Sequence, residues 1–389
     1  MPLRPVLAAL SILGFALASC GSSPAGDNPA HASTVAERPF QLTELARFDE
    51  PWAMDFDPVT GVLFVTERKG TIRFLGPDGK IGFVRGVPDV DYGGQGGLGD
   101  IAFAPVEPSS QLDRRTVYLS WAEAGRGNTR GAAVGRGELV CENHSSCELK
   151  GLDVIWRQSP KTTGRGHYSH RITFSPDGQY LFIASGERQK QEPAQDLSNN
   201  LGTIVRLLPD GTPAPGNPFA ERGGISRQIW SYGHRNILGL KFDAGGRLWD
   251  LEHGPRGGDE LNLVKMGRNY GWPVVSNGDH YSGEPIARHS TRPEFEAPAI
   301  SWNPVIAPGD MIFYKGDQFP EWKGQVLIAA MNPAGIVRVA IEGETAREVA
   351  RYPMERRIRS IIEHGDGSFW ILEDGADARL LRLTPPDEG

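Results

Sequence analysis

The chain is 389 residues long, with 39% hydrophobic residues, 23% charged residues and a formal net charge of −7. That balance describes a soluble globular protein, and an acidic surplus with scattered basic residues excludes the continuous positive face that tracks a nucleic-acid backbone. The 49 glycines and 30 prolines are spread along the whole length, so they indicate many turns rather than disorder.

In chain order, residues 1–19 come first and read as a lipoprotein signal peptide. Arg4 supplies the positive start, and residues 6–17 form an apolar run too short for a membrane span. The run ends in Leu17-Ala18-Ser19-Cys20, which resembles a lipobox with lipidation at Cys20; the alternative is an ordinary secretory leader that contains a cysteine. Gly21 stands where an aspartate would argue for retention at the inner membrane, so the expected location is exported, on the periplasmic side of the outer membrane. The lipid is then the only expected membrane contact. Residues 20–37 read as a flexible tether and residues 38–386 as one folded unit.

Within that unit no long helical periodicity appears. Short apolar strands recur instead, each followed by a turn and a second strand. The series runs MDFDPVTGVLFVTE from Met54, IAFAP with TVYLSWAE from Ile101, and ITFSPDGQYLFIASGE from Ile172. It continues with LKFDAGGRLWDLEHG from Leu240, the stretch from Met311 and IIEHGDGSFWILEDG from Ile361. Six such units predict an all-β fold, a six-bladed β-propeller with long loops at the channel face, over the alternative of a β-sandwich. The loop insertions are expected at residues 126–161 and 269–298. Inside the first, Cys141 and Cys147 in CENHSSC are a disulfide candidate in an oxidising compartment. A zinc site with His144 lacks the four well-spaced ligands it needs.

Four segments carry the densest polar signals, and where glycines surround a single polar residue the backbone can approach a flat ligand closely. They are Gly93-Gly94-Gln95-Gly96-Gly97, GHYSHRI from Gly166, the run from WSYGHRN through EHGPRGGDELN to NYGWP, and Arg356-Arg357-Ile358-Arg359. Through WSYGHRN, EHGPRGGDELN and NYGWP the chain resembles the soluble aldose sugar dehydrogenases, also described as the glucose/sorbosone dehydrogenase family, over roughly residues 40–384. The resemblance implies a six-bladed propeller that binds pyrroloquinoline quinone through calcium (Ca2+). It implies an enzyme that oxidises the anomeric hydroxyl of an aldose and passes electrons to an external acceptor, a quinone or a cytochrome. The oligomeric state stays open.

Carried over by residue, the resemblance makes His167 the catalytic base and puts Gln95 at the cofactor and substrate pocket. Arg235 and Asn236 match the pair that touches the quinone oxygen, and Arg357 and Arg359 match arginines that hold the cofactor's carboxylates. Gly254 and Pro255 match carbonyl ligands of the cofactor's calcium, while Glu260 and the Tyr270 carbonyl match a second, structural calcium site of some members. These residue types suit the chemistry. A neutral imidazole takes a hydroxyl proton near neutral pH. Carbonyl oxygens suit hard calcium, and arginine binds carboxylates in a bidentate way. Three positions depart from the family: Asn332 stands where a cofactor-contacting lysine is usual, Val305 lies near a usual threonine, and His170 replaces a small residue. Two rival readings are a calcium-dependent lactonase-type hydrolase and a non-catalytic propeller that binds a sugar or a partner.

Overall fold

The computed structural model describes residue 1 and residues 36–387, apart from residues 77, 106–113, 144 and 145. The expected leader beyond residue 1, the lipidated Cys20, the tether as far as residue 35 and His144 lie outside the described residues. Among the described residues the chain is all-β, with 24 strands and only short 3-10 turns. No helix among them is long and apolar enough to cross a membrane.

Local sequence explains the hairpins. In ITFSPDGQYLFI, Gly178 takes φ 71°, which glycine adopts without strain. Asp177 Oδ1 accepts the Gln179 N–H at 3.0 Å and closes the turn. The strands Ser169–Phe174 and Leu181–Ser185 then pair antiparallel. Leu181 and Ile183 of this hairpin are fully buried in one inter-sheet core, and Phe182 and Ala184 in the neighbouring one. A strand that is covered on both faces needs such a continuous apolar run.

The innermost strands are Pro51–Phe56, Leu98–Phe103, Ser169–Phe174, Ile237–Phe242, Pro308–Phe313 and Ile358–Glu363. Each packs beside the next and the last returns to the first, a propeller-like ring around a channel. The chain ends close the ring, where Gln41–Phe48 pairs antiparallel with Ala378–Thr384. Hydrogen bonding groups the strands into five sheets, four of four strands and one of eight. The eight-stranded sheet arises because Ile81–Arg85 and Ser146–Arg157 pair in parallel and weld two four-stranded halves. The insertion at 126–161 is not a loop: much of it forms the long strands Arg130–Asn143 and Ser146–Arg157. Cys141 and Cys147 face each other on these strands, their Cα atoms 4.1 Å apart, and form the expected disulfide.

Every inner strand slips register near its start, between Pro51 and Ala53, Leu98 and Ile101, Ser169 and Ile172, Ile237 and Gly239, Pro308 and Asp310, and Ile358 and Ser360. Bulges of this kind re-aim side chains, here at one end of the ring. Within one of them, between Ser169 and Ile172, Arg171 crosses the channel. It donates to Leu238 O and Gly309 O, both at 2.7 Å, and to Asp100 Oδ1 at 3.2 Å. Its guanidinium also lies 4.1 Å from the Trp52 ring centre, and only 4% of Arg171 is exposed, so it plugs the channel.

Candidate active site

On the bulged side of the Arg171 plug lies a cavity of about 530 Å³. Gln95, Asn236, Arg357 and Arg359 line it, so the ring brings together residues from three distant segments. Trp52 and His170, stacked at 4.9 Å, also border it. Asn332 and Val305 do not line it; Met331 does. Met331 ends the strand Val326–Met331, and alternation along that strand turns the next residue the other way. Asn332 is accordingly exposed.

His167 sits beside the cavity, buried, at φ 48°. Ser169 and His170 also have positive φ, so GHYSHRI is a contorted turn into its strand rather than an extended run. The His167 N–H donates to Gln95 Oε1 at 2.7 Å. Its Nδ1 is hydrogen-bonded to the Glu187 carboxylate. Glu187 is itself held by the N–H groups of Lys190 and Gln191, the latter at 2.7 Å. This contact makes Nδ1 the protonated nitrogen and leaves Nε2 with its lone pair. Burial pulls the His167 pKa below the ordinary imidazole value, Glu187 opposes the shift, and Arg235 adds to it. His167 is therefore neutral at neutral pH and has a carboxylate ready to stabilise its protonated form.

His170 differs. It is fully buried, its Nδ1 lies 2.8 Å from Ser120 Oγ, and burial pulls its pKa down to about 3. A side chain at Gly99 would strike its ring, with a Cβ only 1.9 Å from Cε1, so Gly99 makes room for the imidazole. No carboxylate faces His170 among the described residues. It is a neutral wall, not a proton acceptor.

The cations are held by few anions. Arg359 reaches Asp374 through Nε and Nη2, at 2.8 and 2.7 Å, and Arg357 Nε approaches the same carboxylate at 2.9 Å. Two arginines share one aspartate, which leaves positive charge for a ligand's carboxylates. Arg235 is buried under Trp272, its ring centre 5.1 Å away, and its Nε has no hydrogen-bond partner. The Asn236 carbonyl accepts from Ser169 N–H and Oγ–H at 3.3 and 3.4 Å. That leaves its amide nitrogen to donate elsewhere.

Gly254, Pro255, Glu260 and Tyr270 gather around one small cavity of about 10 Å³, room for a single ion or water. Among the described residues the Gly254 and Pro255 carbonyls accept no hydrogen bond. The turn is tight: a Cβ on Gly254 would lie 2.2 Å from the carbonyl oxygens of Gly257 and Gly258. Its N–H is fixed by Asp259 Oδ1 at 2.8 Å. Burial, and next the nearby Glu252 carboxylate, drive the Glu260 carboxyl well above its usual range. The Tyr270 carbonyl accepts from His289 Nε2 at 3.1 Å. These donors fit a calcium ion, and the arginines fit a tricarboxylate.

Several contributors escaped the sequence reading: Glu187, Asp374, Asp259 and Glu252, whose Oε2 accepts the Arg235 N–H at 2.6 Å. Glu187 had a signal. Continuing the hairpin by two residues from Ser169 opposite Ser185 brings it level with His167.

Comparison with known proteins agrees with this geometry. The profile of the glucose / sorbosone dehydrogenase family matches residues 48–382. The chain is 36% identical to aldose sugar dehydrogenase YliI of Escherichia coli over 345 residues, which covers 87% of this chain and 91% of that one. The apo crystal structure of the soluble aldose sugar dehydrogenase from Escherichia coli superposes with a TM-score of 0.82 at 35% identity, over 89% of this chain and 99% of that one. The pyrroloquinoline quinone-bound aldose sugar dehydrogenase of Streptomyces coelicolor superposes with a TM-score of 0.70 at 27% identity, over 89% and 98%. The chain belongs to the glucose/sorbosone dehydrogenase family of oxidoreductases.

Proposed function

We propose that this enzyme uses pyrroloquinoline quinone and calcium to oxidise the anomeric hydroxyl of an aldose sugar, and passes the electrons to an external acceptor. The observation that carries the reading is the buried His167–Glu187 pair, tied through Gln95 to a cavity that also presents Arg357, Arg359 and Asn236.

His167 Nε2 takes the proton from the sugar hydroxyl, and Glu187 stabilises the imidazolium that forms. Gln95, by fixing the His167 backbone, sets where that lone pair points. Arg357 and Arg359 would hold the cofactor's carboxylates, Arg235 and Asn236 its quinone oxygen, and the Gly254 and Pro255 carbonyls its calcium. When bound, the quinone supplies the two-electron redox chemistry and the calcium its Lewis acidity. Glu260 and the Tyr270 carbonyl border the same small cavity and suit calcium as well. The lactonase-type alternative needs carboxylates on a channel metal, whereas Asp100 and Asp310 of the channel are engaged by Arg171 and Ser360.

Finer points belong to the same reading. We count six blades, taking the eight-stranded sheet as two; the six inner strands with their six matching bulges support this. The LASC leader supports export and a lipid anchor at Cys20. The test is an absorbance titration of the protein with the quinone, with and without calcium. Tight binding that chelation abolishes and calcium restores is the expected result; equally tight binding to metal-free protein contradicts the calcium role.

A further inference from the structure

The far mouth of the channel carries unused charge. Of the nine lysines, seven place the ε-ammonium on a carboxylate or a hydroxyl. The two exceptions are Lys241 and Lys315, whose ammonium groups make no hydrogen bond or ion pair among the described residues. Both border the same two adjoining cavities, of about 380 and 570 Å³, which share Lys241, Phe242 and Lys315.

These cavities lie on the side of the Arg171 plug away from the candidate active site. Asp55, Lys241, Ile312 and Ile362 line the first of them and sit at matching positions near the ends of their inner strands. Its wall is largely apolar: Phe56, Phe242, Phe313, Ile312 and Ile362. Phe56 packs edge-on to His364 with 5.2 Å between ring centres, which adds a flat surface. The second cavity's one acid, Asp243, is paired with Arg247; the first has two, which feel the lysine charges but spend their hydrogen bonds on the backbone. Asp55 accepts N–H bonds from Phe56 and Phe103 at 3.0 and 3.1 Å, and Glu363 accepts from Lys315 N–H at 2.7 Å. Burial pushes the Asp55 carboxyl up to about 7 and that of Glu363 upward. At neutral pH the acids therefore only partly offset the two ammonium groups.

We propose that this mouth binds an organic oxyanion, a carboxylate or phosphate group carried on a small aromatic or aliphatic body. Lys241 and Lys315 hold the charge through charge-assisted hydrogen bonds, and the phenylalanine wall takes the body. The site is separate from the sugar site and does not depend on the proposed activity.

Isothermal titration of the full chain with benzoate, acetate and inorganic phosphate tests it. Benzoate is expected to bind more tightly than acetate. Lys241→Ala and Lys315→Ala should each weaken benzoate binding on the order of tenfold, as loss of one charge-assisted bond does. Lys241→Arg and Lys315→Arg should retain it. Lys323→Ala, which removes an ammonium paired with Asp317, should change nothing. Thermal unfolding of each variant confirms folding, and the dye-linked sugar oxidation rate should stay at the wild-type value. Absence of binding by all three anions overturns the proposal, as does benzoate affinity unchanged in the folded double alanine variant. Phosphate binding with benzoate no better than acetate overturns the apolar half of the site.

Discussion

Two histidines three residues apart, His167 and His170, are separated by what faces them. Alternation along an extended strand would point them to opposite sides, but their left-handed backbone makes that rule inapplicable. The distinction comes from Glu187, which reaches one imidazole only. Because burial lowers the His167 pKa, the base stays unprotonated below the ordinary imidazole value of 6.5, and kcat should fall only on further acidification. Glu187 raises that pKa, so Glu187→Gln should move the acid limb of kcat to lower pH. It should also reduce kcat on the order of 10²-fold, toward the lower end of what general-base catalysis contributes. A pH–rate profile of the reconstituted variant checks both, and an unmoved limb would mean that Glu187 is only structural. His167 was legible because its motif matched a family. Glu187 was legible only by extending a hairpin register, and so was Asp374, which falls opposite Arg357 one residue beyond the Ile358–Glu373 pair.

At the scale of elements, hairpins were readable because turn residues and apolar alternation are local. The outer strands were not: residues 126–161 look polar and loop-like, yet fold as long strands that share an edge with the neighbouring unit. Arg130–Asn143 pairs with its sequence neighbours Arg114–Ala124 and Ser146–Arg157, but the edge to Ile81–Arg85 joins distant segments, and local pattern cannot reveal that one. Asn332 marks the same limit, since neighbours along a strand face opposite ways and local pattern does not say that Met331 is the one that faces the cavity. The disulfide staples this extension near its tip. Its loop is short, so Cys141→Ala with Cys147→Ala should cost at most about 2 kcal/mol by the chain-entropy model. Denaturant midpoints of oxidised wild type and the double variant measure this, and a collapse of the whole fold would contradict a merely local role.

The whole molecule is a ring whose two channel ends are kept apart by one cation. Arg171 satisfies two carbonyls and Asp100 while lying on Trp52, which in turn borders the active-site cavity. Removing it strands buried carboxylates, so Arg171→Leu should destabilise the fold by about 3–5 kcal/mol, measured by urea unfolding. A loss within about 0.5 kcal/mol, the usual range for an unremarkable surface change, would refute the plug. The ring also explains how residues 95, 167, 236 and 359 form one site although the chain separates them widely. The most direct test of the account is the dye-linked rate on adding an aldose to protein reconstituted with the quinone and calcium, for wild type and His167→Ala at equal measured cofactor occupancy. Wild type should turn over, and the variant should lose about 10²–10⁴-fold. No turnover by fully loaded wild type on any aldose, or near wild-type turnover by His167→Ala, would contradict the account.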